Sequence, residues 1–208
     1  MLKLTRGILY SIAINDLTNV RSDELSHYYQ TWTSMLSRCY GKRNKNNVCY
    51  AGVTVCEEWL TFSKFKSWME IEDWRGKELD KDLLIRDNKV YSPLHCCFIP
   101  RKLNAFLTTN KGKRGEYPLG VRYRRKNKDM INELTNCFQS EISLNGKIKH
   151  LGYFSDPYKA HLMWQKKKLE LTKDLLYVYT DTTILKGILR VIEDLSSDIR
   201  LGIVTKSL

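Results

Sequence analysis

The sequence predicts a mixed α+β protein, and three observations carry that prediction. Aromatic residues recur at three- and four-residue steps through the N-terminal half, which is helical spacing. After Gly120, apolar and polar residues alternate along three short segments, two of them joined by Asn145-Gly146. Helical spacing then returns beyond Pro157 and again from Ile184.

Gly7 to Ile14 is rich in β-favouring residues and ends at Asn15-Asp16, so it reads as a strand or arm closed by a turn. From Ser26, the residues Tyr29, Trp32, Met35 and Leu36 form one stripe of a helix, with Ser22 or Ser26 as its cap. Gly41 to Asn47 is polar and basic and stops that helix, and Val48 to Val55 is a short extended segment around Gly52. Trp59, Phe62, Phe65, Trp68 and Met69 then make a second amphipathic helix. The two aromatic stripes are expected to pack into a compact N-terminal core.

Trp74 to Ile85 reads as a strand, Arg86 to Lys89 as a polar turn, and Val90 to Ile99 as a short strand or helix entry turned at Pro93. Pro100 suits the first turn of a helix carrying Leu103, Phe106 and Leu107. Thr108 to Pro118 is polar and lysine-rich, a linker by composition. In Gly120 to Arg125, Arg122 and Arg124 share one face of a strand while Val121 and Tyr123 share the other. Phe138, Ser140 and Ile142 alternate in the next strand, and Lys147 to Phe154 supplies the third. Asp156-Pro157 opens a helix in which Ala160, Met163, Trp164 and Lys168 keep helical spacing, and Ile184, Ile188 and Ile192 mark a last amphipathic helix. The expected organisation is a domain over 1–107, a linker over 108–119, a second domain over 120–170 and a helical extension over 171–208.

Thirty-five Lys and Arg against 23 Asp and Glu leave a formal net charge of +12, which a fold does not require but a polyanion rewards through counterion release. The charge is clustered: Lys111 to Lys128 holds eight basic residues, with Glu116 as the acid among them. Nucleic acid is therefore the expected partner class. The six cysteines form no C-x-x-C pair, and no apolar run suggests a signal peptide or a membrane span. A reduced, cytoplasmic setting without a membrane partner is the expectation. Cys39, Cys49 and Cys56 are spaced by ten and seven, which matches no common zinc pattern, so zinc is not expected.

The order Gly120-Val121-Arg122, Phe138-x-Ser140-x-Ile142 and Leu151-Gly152-x-Phe154, followed by Ala160 and Trp164 in a helix, resembles the ethylene-response-factor or Apetala-two type of DNA-binding domain. The resemblance covers about 50 residues. It implies a three-stranded sheet laid in the major groove of double-stranded DNA. By that resemblance Arg122 and Arg124 contact bases or phosphates, and Arg125, Lys147 and Lys149 contact phosphates.

Upstream, Tyr29-x-x-Trp32-x-x-Met35-x-x-Arg38, Val55-Cys56-x-x-Trp59, Leu79-Asp80-Lys81-Asp82 and Tyr91-Ser92-Pro93 to Asn104 resemble a phage family described as HNH-like or homing-endonuclease-like. The resemblance implies a ββα-metal centre in which Asp80 and Asn104 hold a divalent ion such as Mg2+, with Lys81 standing where the family has its histidine base. An ammonium is a poor base near neutral pH, so the centre is expected to be degenerate, with Asp82 or His95 as the substitutes. The expected function is that of a phage-type DNA-binding protein in the host cytoplasm. Two alternatives stay open: an active metal-dependent endonuclease, and a phage factor that binds a host protein through its aromatic half.

Overall fold

The computed structural model describes residues 7–17, 23–42, 50–109, 116–124 and 137–208. Ser22, most of the Gly41–Asn47 loop, Cys49, the middle of the 108–119 linker, Arg125 and the Lys126–Thr135 turn lie outside the described residues. Among those described, the chain is mixed α+β, with five α-helices, three two-stranded sheets and one three-stranded antiparallel sheet. It divides into two compact units, Met1–Arg101 and Lys102–Leu208. The division falls ahead of the expected linker, at the junction where a strand ending at Pro100 runs straight into a helix beginning at Arg101.

In the first unit, β1 (Gly7–Leu9) and β2 (Ala13–Asn15) form a hairpin with Ile8 opposite Ile14. Helix α1 (Asp23–Tyr40) buries Tyr28, Trp32, Met35 and Leu36 on one side. After β3 (Thr54–Val55), Trp59 lies in a single 3-10 turn, Glu57–Leu60, and not in the helix its spacing suggests. The cause is Thr61, which is extended at φ −101°, so that α2 (Phe62–Ile71) starts only after it. Asp16 supplies the missing cap, accepting from the Ser63 N–H at 2.9 Å and its hydroxyl at 2.6 Å. The Trp32 indole N–H donates to the Trp59 carbonyl at 2.7 Å, and Trp32 meets Phe62 with ring centres 5.1 Å apart. Trp32, Trp59, Phe62 and Phe65 are fully buried, each contributing roughly 1.5–3 kcal/mol or more of hydrophobic stabilisation.

Strand β4 (Lys77–Asp80) pairs antiparallel with β6 (Cys97–Pro100), Leu79 opposite Phe98 and Asp80 opposite Cys97. Between them β5 (Val90–Tyr91) pairs parallel with β3. The strand expected over Trp74 to Ile85 is therefore shorter. Its end is set by Asp80, whose Oδ1 accepts the N–H groups of Asp82 and Leu83 and turns the chain. Pro100 closes β6, where its missing N–H is harmless, and α3 (Arg101–Leu107) follows.

The second unit is built on β7 (Val121–Tyr123), β8 (Phe138–Leu144) and β9 (Lys147–Phe154), in that order. Asn145 and Gly146, both at positive φ, make the tight β8–β9 turn. Helix α4 (Pro157–Asp174) packs on the face that carries Ser140 and Ile142, and α5 (Thr182–Arg200) packs on α4. Asp156 and Asp181 cap the two helices, each accepting two backbone N–H groups. Lys168 of α4 is only 4% exposed. Its ammonium donates to the Phe106 carbonyl and lies 3.4 Å from the centre of that ring, and burial pulls its pKa down to about 7.

The segment Ile203–Leu208 is fastened to the helices by a buried polar chain. Gln165 Nε2 donates to the Ile203 carbonyl and to Thr205 Oγ1, both at 2.9 Å. Thr205 Oγ1 in turn donates to Asp198 at 2.8 Å. His161 joins two segments: its Nδ1 meets the Leu119 carbonyl at 2.8 Å, and its Nε2 accepts the Thr205 N–H at 3.0 Å.

Candidate nucleic-acid interface

The face of the β7–β9 sheet opposite α4 is a framework of polar and cationic side chains. Directly opposed residues in an antiparallel pair share a face, so Val121, Ser140 and Gly152 belong to one face, while Arg122, Gln139 and Tyr153 form a row on the other. Glu141 and His150 make the next row of that outer face. Arg122 and Arg124 are thus brought together there, both exposed.

Neither arginine is loose. Arg122 Nη2 lies 3.2 Å from Glu141 Oε1, the acid 18% exposed and the arginine 64%. Arg124 donates to the Tyr153 hydroxyl at 3.3 Å, its guanidinium carbon 5.5 Å from the ring centre, and His150 lies 4.4 Å from that ring. A guanidinium carries five N–H groups in one plane, more than these contacts use.

Lys147 and Lys149 are exposed but fall in a different row. A bulge between the Ser140 and Glu141 pairings leaves Leu151 as the extra residue, which shifts the alternation of β9 by one. Lys149 therefore pairs with Ile142 and Lys147 with Leu144, on the row of the helix-packed face, while Ile148 and His150 take the outer positions. Arg125 lies outside the described residues. Gln139, Glu141, His150 and Tyr153 complete the face, and none of them stands out by residue type in the sequence. The signal that could have found them is the combination of the Asn145-Gly146 register with Gly152, a glycine inside a strand pattern.

In the first unit, Lys81 is 6% exposed, and its ammonium donates to Asp82 Oδ1 at 2.5 Å and to the Asn88 carbonyl at 2.8 Å. Asn88 answers by donating to the carbonyls of Lys81 and Val90 while accepting the Val90 N–H, so the 81–90 loop is closed on itself. Burial pushes the Asp80 carboxyl above the usual range, with the Leu83 N–H opposing it and the Asp82 charge adding to it. His95 is half-buried in the Ser92–Cys96 turn, and its Nδ1 has no hydrogen-bond partner among the described residues.

Asn104 belongs to the second unit, where its carbonyl and side-chain oxygens both accept from the Thr108 hydroxyl. Asp80 and Asn104, the donors expected to hold a divalent ion, fall in different units, and each accepts hydrogen bonds from its own neighbours. Among the described residues no group of three or more His, Cys, Asp or Glu gathers as a metal site. Cys39 is half-buried with its thiol pushed up to about 11 by burial, and burial also raises Cys56. No helix among the described residues is long and apolar enough to cross a membrane. Comparison with protein-family models, characterised proteins and solved structures finds no match to this chain.

Proposed function

We propose that this protein binds double-stranded DNA through the outer face of the β7–β9 sheet, as a phage-type protein related to HNH homing endonucleases whose own nuclease centre is degenerate. The observation that carries the reading is the pair Arg122 and Arg124 on one exposed face, each held in place by a cross-strand partner. The net charge of +12 favours a polyanion.

Occupancy of DNA, and not cleavage, is favoured by the state of the Asp80 loop. The run β4, loop, β6, α3 follows the strand–loop–strand–helix order of a ββα centre. Yet the Lys81 ammonium is spent inside the loop, and the Asp80 Oδ1 is spent on two backbone N–H groups. A general base must reach water, and Lys81, buried and hydrogen-bonded to Asp82 and Asn88, does not where it stands.

Fluorescence anisotropy on a labelled duplex across a salt series tests the reading. Binding is expected to weaken steeply with salt, and Arg122→Glu with Arg124→Glu is expected to lower the log–log slope by about 1 for each lost phosphate contact. Absence of duplex binding at low ionic strength would sink it. The same DNA incubated with magnesium or manganese is expected to stay intact; cleavage abolished by Asp80→Ala would reinstate the nuclease.

A further inference from the structure

The outer face has a centre, and its chemistry differs from that of its edges. Register places Gln139 between Arg122 and Tyr153, on the middle strand of the three. On either side the long side chains are engaged, Arg122 with Glu141 and Arg124 with Tyr153. Among the described residues, no hydrogen bond engages the Gln139 amide. The residue is half-buried.

We infer that Gln139 reads one adenine in the major groove at the middle of the bound site; the inference rests on the duplex-binding reading above. A three-stranded sheet laid in a groove brings its central strand nearest the base edges and its outer strands nearest the phosphate walls. A primary amide carries an acceptor and two donors in one plane. Adenine answers with N7, which accepts the Nε2–H, and the N6 amino group, which donates to Oε1. Guanine offers two acceptors on that edge and leaves Oε1 facing another acceptor, so the discrimination follows from proton count. Glu141 and Tyr153 engage the two arginines, leaving the amide as the group of that row without a hydrogen bond among the described residues.

Selection of the full chain against a random duplex pool at fixed salt tests this, with Gln139→Ala and Gln139→Glu selected in parallel. The wild-type pool is expected to fix an adenine at one internal position, and Gln139→Ala is expected to lose that preference while keeping its neighbours. Gln139→Glu, an acceptor only, is expected to exchange adenine for cytosine, whose N4 amino group donates. That gain also separates misreading from misfolding. Replacing the assigned adenine by 7-deazaadenine should weaken wild-type binding about tenfold and leave Gln139→Ala unaffected. Identical selected sequences from wild type and Gln139→Ala, or a bound pool with no preference at any position, overturn the role of Gln139 and leave duplex binding standing. A wild-type chain that retains no duplex at all overturns both.

Discussion

The indole of Trp164 lies directly on the backbone of Gly120: a Cβ built there would stand 2.0 Å from Cδ1 and 2.2 Å from Cγ. Gly120 also has φ +72°, a conformation that costs any other residue about 1 kcal/mol. The helix reaches the start of β7 because that position has no side chain. Gly120→Ala is expected to lose about 2–4 kcal/mol in urea denaturation, strain and overpacking together. A loss below about 1 kcal/mol would mean that the indole is not seated there.

Asn88 fastens the Asp80 loop with three side-chain hydrogen bonds in a site 8% exposed. Asn88→Ala orphans two carbonyls and one N–H, and is expected to cost about 2–3 kcal/mol. Asn88→Asp should be as damaging despite its shape, because a carboxylate cannot donate to the Lys81 and Val90 carbonyls. Hydrogen exchange reads the loss locally: the Leu83 and Val90 amides should lose protection before the core of α1 does.

Burial raises the Asp80 pKa in the folded chain, so the folded state binds its proton more tightly than the unfolded state. The stability this group contributes therefore falls as pH rises from the ordinary carboxyl range through the raised value. Asp80→Asn keeps an oxygen to accept the Asp82 and Leu83 N–H groups and removes the buried charge. It is expected to leave stability at pH 7 unchanged or up to about 1 kcal/mol higher, whereas Asp80→Ala should lower it by about 1–2 kcal/mol. Denaturation at about pH 4 and about pH 7 checks both, with the difference between wild type and Asp80→Asn shrinking at the lower pH.

Lys168 titrates in the opposite sense. Its folded pKa of about 7 lies below the ordinary value of 10.5, so between them the unfolded chain holds a proton that the folded chain releases. Stability from this group is expected to rise from about pH 7 towards pH 10.5. Lys168→Met should flatten that rise and keep the ring contact with Phe106. An unchanged slope in the variant would show that the ammonium is hydrated.

The aromatic core was legible because its signal is redundant: Trp32, Met35, Phe62 and Phe65 are large, apolar and correctly spaced, and all are buried. The hairpin at Asn145-Gly146 was legible for a similar reason, since few residue pairs accept positive φ twice in succession. The composition of the outer sheet face was not. One extra residue at Leu151 exchanges the two faces of β9, so the exposed lysines and the outer residues are different sets. The Asp80 loop misled in another way. Asp80, Lys81 and Asn88 have the polarity of a reacting centre, but their hydrogen bonds go to the loop itself, which residue type alone does not reveal.

His161 has a proton on one ring nitrogen and a lone pair on the other, and the two are used separately. The protonated nitrogen grips Leu119, two residues ahead of β7, and the lone pair receives the Thr205 N–H. A ring carrying two protons, or a shorter side chain in its place, can hold only one of the two segments. Leu119, at the entry to the strand that bears Arg122, and the segment that bears Thr205 thus share a single anchor, although 86 residues of sequence separate them.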